Sequence, residues 1–364
     1  MTADAVGGVW TYALELARAL RPRGVRVSLA TMGPRPSAAQ RRAAAAVDGL
    51  TLHESDFRLE WMPDAWREVD AAAVWLLDLA AALAPDVIHL NGYAHAVLPW
   101  PAPALVVGHS CVLSWYDAVH RAPTPPEWRE YARRVSAGLR AAPAVVAPSR
   151  AMANALRREY AVTRPIDVIP NGRDAGRFAA ASRKHRFAFA SGRLWDPAKN
   201  IVALDAAAAA LPWPVYVAGD TGGAHGAKVA FSRLRCLGVL AERSLRGWYA
   251  RAAVYAAPAR YEPFGLSVLE AALSRCALVL GDIDSLRELW DGAACFVAPD
   301  DAAALATALR GLLEDGALCR RMGDRARRRA RRYGAPAMAA KYADVYQRLC
   351  GVPSAAEQVL SCAW

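Results

Sequence analysis

Short apolar runs alternate along the chain with longer stretches in which apolar side chains return every third or fourth position. These are the periods of buried strands and of amphipathic helices. The short runs predict strands at residues 25–31, 86–90, 104–108, 144–147, 167–169, 187–191, 215–218, 253–257 and 277–280. The longer period predicts helices over residues 9–21, 64–84, 126–141, 150–160, 201–210, 244–251, 267–274, 302–314 and 317–333. Such alternation reads as two βαβ series in tandem, an α/β chain with parallel sheets covered by helices. Pro170-Asn171-Gly172 is turn chemistry that ends the first series, residues 180–186 form a polar, basic linker, and residue 187 opens the second. The expected division is a Rossmann-like domain over residues 1–182, a second over 183–332, and a C-terminal segment over 333–364. Open α/β sheets bind ligands beyond the carboxyl ends of their strands, so two facing sheets would put their strand-end loops into one crevice. Only residues 1–6 precede the Gly7-Gly8 loop, whereas a buried strand needs about five or six residues. Met1-Thr2-Ala3-Asp4 therefore reads as the end of a first strand and Met1 as an internal methionine, with an unfilled slot beside the strand at 86–90.

Composition narrows the class. A chain of 364 residues with 55% hydrophobic positions can build two cores, which excludes disorder. The seven cysteines are scattered and contain no CxxC pair, so a disulfide framework or zinc site is not expected and a reducing cytoplasm fits. Asp78 interrupts the apolar stretch at 71–84, and Asp205, Pro212 and Pro214 interrupt that at 203–218, so neither is a membrane span. There is no secretory signal pattern. The net charge of +11 is spread broadly except for Arg320, Arg321, Arg325, Arg327, Arg328, Arg329, Arg331 and Arg332. That cluster reads first as a solvated helix face and second as peripheral contact with an anionic membrane surface, such as the inner face of the membrane. Its cations are not interleaved with aromatics, which argues against nucleic acid.

Three segments carry chemistry. Gly7-Gly8 precedes a helix, where backbone amides and the helix dipole favour an anion, although such pairs are often plain turns. The loop Gly192-Arg193-Leu194-Trp195-Asp196-Pro197-Ala198-Lys199-Asn200 follows a strand, so Arg193 and Lys199 can both reach one diphosphate, the former as a planar fork and the latter as a point charge. A solvated turn would show the same residues. In Arg260-Tyr261-Glu262-Pro263-Phe264-Gly265-Leu266-Ser267-Val268-Leu269-Glu270-Ala271, Glu262 lies in a strand-end loop and Glu270 one turn into the next helix. Both carboxylates can face one site and accept from vicinal hydroxyls, with the amides of Phe264, Gly265 and Leu266 open to oxyanions. The apolar neighbours Leu266, Val268 and Leu269 make Glu270 semi-buried, and a semi-buried acid needs a partner. Trp61, Trp66, Trp115, Tyr116 and Trp128 are aromatic candidates for acceptor contacts in the first domain.

The E-x7-E spacing of Glu262 and Glu270, the loop at 192–200, Val168-Ile169-Pro170-Asn171-Gly172, Pro148-Ser149-Arg150, Asp86-Val87-Ile88-His89 and Gly7-Gly8-Val9-Trp10 together resemble glycosyltransferase family 4. They run in the family's order over nearly the whole chain. The resemblance implies a GT-B fold, two Rossmann-like domains facing across a cleft with a helix at 336–350 crossing back to the first. It further implies retaining transfer from a nucleotide-diphosphate sugar to an acceptor hydroxyl on a glycan, lipid or small molecule, without a metal cofactor. By motif, Arg193 and Lys199 become the diphosphate cations, Glu270 the ribose carboxylate and Glu262 the holder of the sugar hydroxyls. Phe264, Gly265, Leu266, Gly7 and Gly8 complete the donor site. His109, at the end of its strand, resembles the histidine beside the transferred sugar. His89 reads as a packed histidine and His95 stays undetermined. The nearest acids for a metal are Asp300-Asp301 and Asp282-Ile283-Asp284, neither a DxD pair at a strand end in the donor half. Competing readings are a GT-B epimerase or phosphorylase and a silent sugar-nucleotide binder.

Overall fold

A computed structural model describes residues 1–222 and 228–351; residues 352–364 of the expected C-terminal segment, with Cys362, lie outside them. The chain divides into two compact units. The first holds Met1–Ser114, Pro123–Gly172 and the chain from Ala335 on; the second holds Trp115–Ala122 and Arg173–Gly334. The boundary expected at 182/183 thus falls at 172/173, because Arg173 already pairs with acids of the second unit.

In the first unit β1 (Thr2–Asp4), β2 (Val27–Met32) and β3 (Leu50–Glu54) form one parallel sheet in that order, and β4 (Ile88–Leu90), β5 (Ala104–Val107), β6 (Ala144–Ala147) and β7 (Asp167–Val168) form another. Asn91 joins them: its Nδ2 donates to the Thr2 carbonyl (2.7 Å) and its amide donates to Thr2 Oγ1 (3.0 Å). The connecting helices are α1 (Gly8–Leu20), α2 (Ala38–Ala45), α3 (Trp66–Leu83), α4 (Val112–His120), α5 (Arg129–Ala141) and α6 (Arg150–Tyr160). From Trp115 onward α4 belongs to the second unit, so Trp115 and Tyr116 leave the set of first-domain aromatics.

The second unit is one parallel sheet in the order β10 (Arg235–Cys236), β9 (Val215–Ala218), β8 (His185–Ser191), β11 (Ala252–Ala257), β12 (Ala277–Gly281), β13 (Cys295–Val297). Its helices are α7 (Ile201–Ala208), α8 (Glu242–Arg251), α9 (Leu266–Leu273), α10 (Asp284–Trp290), α11 (Ala302–Glu314) and α12 (Gly316–Ala330). Side chains alternate across each strand. Ala188, Ala190, Val254 and Val279 therefore face a core with Leu204 and Leu309, while Phe187, Phe189, Tyr255 and Leu278 face one with Val268 and Trp290. Each buried Leu, Val or Phe contributes about 1.5–3 kcal/mol. The last helix among the described residues, α13 (Ala335–Leu349), packs on the first unit, with Tyr342 set 6.0 Å from Tyr12 between ring centroids.

Strands β8 and β9 end on two glycines that touch. Gly219 has φ +146°, and a Cβ there would stand 1.8 Å from the Gly192 carbonyl oxygen. Gly219→Ala is expected to destabilise by about 3 kcal/mol or more, combining overlap with backbone strain. Gly238→Ala, at φ +68° with nothing within 4 Å, should cost only about 1 kcal/mol. Chemical denaturation of both variants checks the difference, and equal losses would show that the close approach relaxes freely.

Candidate functional site

The second sheet runs outward from β8 through β9 to β10 and then returns to β11 on the other side of β8. The direction of winding therefore switches between β8 and β11, and the carboxyl ends of strands at such a switch point are where open α/β sheets bind ligands. Arg193 and Lys199 follow β8; Glu262, Phe264 and Gly265 follow β11. The predicted donor residues thus meet where an open sheet binds ligands.

Lys199 Nζ donates to Glu262 Oε2 at 2.5 Å, with the side chains 22% and 14% exposed, so the pair is sheltered yet reachable. Arg193 is held otherwise: its Nη2 donates to Asp196 Oδ2 (2.8 Å), and the guanidinium sits 5.8 Å from the centre of the Trp195 ring. Asp196 is buried and also accepts from the Ala198 amide (2.9 Å) and the Trp115 indole (3.2 Å). Burial pushes the Asp196 carboxyl up, but Arg193 and Lys199 more than reverse this and hold it below the ordinary aspartate value. Asp196 caps the short turn Pro197–Lys199 and aims Arg193. The Asp-Pro step was its only sign in the sequence.

Gly265 takes φ +84° as the residue before α9, where a Cβ would press within 3.1 Å of Val268 and 3.3 Å of the Glu262 side chain. The first bond within α9 runs from the Leu269 amide to the Gly265 carbonyl (3.0 Å). The amide of Leu266 at the helix start lies ahead of it, so an anion finds donors there. Glu270, one turn in, is 8% exposed and pairs with the buried Arg173, Nε to Oε1, at 3.0 Å. Glu262 and Glu270 are therefore held by different cations. Arg173 also reaches Glu242 (3.3 Å), and Arg177 shares that acid (2.8 Å).

Gly7, Gly8 and His109 belong to the first unit. Gly7 precedes α1 with extended backbone (φ −154°), so this glycine is not demanded by a left-handed conformation. His109 follows β5, lies 4.5 Å from the Tyr12 ring and bonds through Nε2 to Asn91 Oδ1 (2.9 Å). His89 is buried with Nδ1 at 2.7 Å from the Tyr346 hydroxyl, and burial lowers its pKa well below the ordinary value. His95 bonds through Nε2 to the Val69 carbonyl (2.9 Å) in the fold. The acids nearest to a metal motif are engaged: Asp282 by Arg287, Asp300 by Arg260 and Arg121, and Asp301 by the Ala304 amide that begins α11.

The second unit is thus a parallel α/β sheet with a cation–carboxylate pair at its switch point and a helix start beside it. Residues 6–177 match the profile of Glycosyltransferase Family 4, and residues 185–315 that of Glycosyl transferases group 1. The chain belongs to glycosyltransferase family 4. It is 33% identical over 212 residues to a phosphatidyl-myo-inositol mannosyltransferase of Mycolicibacterium smegmatis, covering 50% of this chain and 52% of that one. Over 99 residues it is 39% identical to a glycogen synthase of Mycobacterium tuberculosis, covering 26% of this chain and 23% of that one. The chain thus spans about half, or less, of the curated relatives it matches. Among solved structures, a sucrose-phosphate synthase from Thermosynechococcus elongatus superposes with a TM-score of 0.79 at 20% identity, over 96% of this chain and 98% of that one. HepE of Anabaena, in complex with UDP-glucose, superposes at 0.74 and 17% identity, over 95% and 99%. These likenesses give the fold, GT-B.

Proposed function

We infer that the chain is a retaining glycosyltransferase that takes a sugar from a nucleotide-diphosphate donor without a metal. The observation that carries this reading is the Lys199–Glu262 pair at the β8/β11 switch point. A donor entering there would exchange one contact for two, its diphosphate meeting Lys199 and Arg193 and its sugar hydroxyls meeting the Glu262 carboxylate. The complex of HepE with UDP-glucose supports a donor of this class. As the bond from the anomeric carbon to the phosphate oxygen breaks, negative charge grows on the diphosphate, and fixed cations and helix-start amides stabilise it. The acceptor hydroxyl attacks from the same face and passes its proton to the departing phosphate oxygen, so configuration is retained. Glu270 holds the ribose in this scheme. The arginines at 320, 321, 325, 328, 331 and 332 are exposed on and just after α12, which supports peripheral contact with an anionic surface from the cytoplasmic side. No helix among the described residues is long and apolar enough to cross a membrane.

A thermal-shift screen of UDP, GDP and ADP sugars in EDTA tests the reading. The correct donor, at about 100 times its Kd, should stabilise the protein by about 2.7 kcal/mol. Turnover of that donor should survive EDTA. A requirement for added manganese or magnesium would overturn metal independence, and no shift with any donor would overturn the assignment.

A further inference from the structure

Two histidines of the first unit converge on one carboxamide oxygen. Asn91 Nδ2 donates to the Thr2 carbonyl, which can only accept, so the amide orientation is settled and Oδ1 faces the rings. That oxygen can only accept in turn. It lies 2.9 Å from His109 Nε2, so that nitrogen carries the hydrogen, whereas His89 Nε2 is shared between the same oxygen (3.2 Å) and the Tyr12 hydroxyl (3.3 Å). A neutral imidazole has one N–H, so a His109 ring protonated at Nε2 leaves its Nδ1 bare.

We propose that Asn91 is a positioning residue that fixes His109 in the Nε2–H tautomer, so that its Nδ1 presents a lone pair to a hydroxyl donor. The class of ligand follows from the chemistry. A bare ring nitrogen accepts from a sugar or acceptor hydroxyl and repels a phosphate oxygen, so this point of the unit selects for hydroxyls. Among the described residues Nδ1 of His109 has no hydrogen-bond partner. The titratable side chains around the two rings are Tyr12 on α1 and Tyr342 and Tyr346 on α13. Burial lowers the pKa of His109, which keeps its ring uncharged near neutrality.

The inference rests on the proposed transferase reading for its use of the hydroxyl, but its chemical core can be read without substrate. In the full chain labelled with 15N-histidine, with His109→Gln for assignment, His109 should show protonated Nε2 and bare Nδ1 from about pH 8 to about pH 5.5, a range in which an ordinary histidine titrates. A protonated Nδ1, or titration inside that range, would overturn the proposal. Asn91→Asp puts a carboxylate against the same N–H group, which favours the imidazolium and raises the histidine pKa. Its kcat/KM should fall at least about tenfold below pH 6.5 and approach the wild-type value near pH 8.5, a pH dependence that a purely structural role would not produce. A pH profile parallel to wild type would also overturn it. If the tautomer is as stated but no nucleotide sugar is turned over, the proposed function fails and the positioning role of Asn91 stands.

Discussion

Replacing Arg173 with methionine is expected to lower the unfolding free energy by about 3–5 kcal/mol, the usual cost of leaving a buried acid without its cation. The Arg173 side chain is 3% exposed and that of Glu270 10%, so little solvent is at hand to take over. An exposed pair would contribute about 0–1 kcal/mol, which makes the magnitude diagnostic. The link to Glu242, 45% exposed and shared with Arg177, should matter far less. The double variant Arg173→Met/Glu270→Gln removes both charges and should recover much of the loss. Urea unfolding of the four proteins measures this cycle. A single variant within about 1 kcal/mol of wild type, or a double variant as weak as the single, would show that Glu270 is not the group Arg173 serves.

Lys199→Met should reduce kcat by about 10²- to 10³-fold, the range seen when one preorganised donor to developing charge is removed. Donor affinity should change less, because in the proposed scheme Arg193 and the turn before α9 would still hold the diphosphate. The substitution also leaves Glu262, 14% exposed, without its 2.5 Å partner. Glu262→Gln should therefore be slow as well, and combining the two should cost less than the product of their separate effects. Initial rates of nucleotide release at saturating donor decide the matter. A Lys199→Met enzyme with more than about a tenth of wild-type turnover would remove Lys199 from the charge-stabilising role.

The central strands were legible because strands covered on both faces are apolar almost throughout, as in Ala144–Ala147 and Ala277–Gly281. The edges were not. Leu50–Glu54, Arg235–Cys236 and Cys295–Val297 are short or half-exposed and show no continuous apolar run. Ala38–Ala45 buries only Ala44 and begins on the Ser37–Gln40 capping box, so no apolar stripe announced it. Asp284–Trp290 is too brief for a helical period to register. At the site, the strand-end rule put Arg193, Lys199 and Glu262 in one crevice, and the apolar neighbours of Glu270 announced its burial. The partner of Glu270 could not be read, because Arg173 sits in a turn distant in sequence and pairs only once the chain has folded. Asn91 was equally silent, since a single polar residue after a strand follows no pattern until Thr2 and His109 arrive beside it.

Neither unit is a continuous piece of chain. The first is completed by α13, encoded after the whole of the second, and the second borrows Trp115–Ala122 from within the first. Trp115 donates to Asp196, the residue that aims Arg193, and Tyr346 closes the ring of His89. A chimera made by exchanging everything beyond residue 172 would therefore hand the recipient a foreign α13 and strip the donor-side loop of its own tryptophan. Modular exchange in this architecture needs its joints at 114/115, 122/123, 172/173 and 334/335, so that each graft carries its outlying segment.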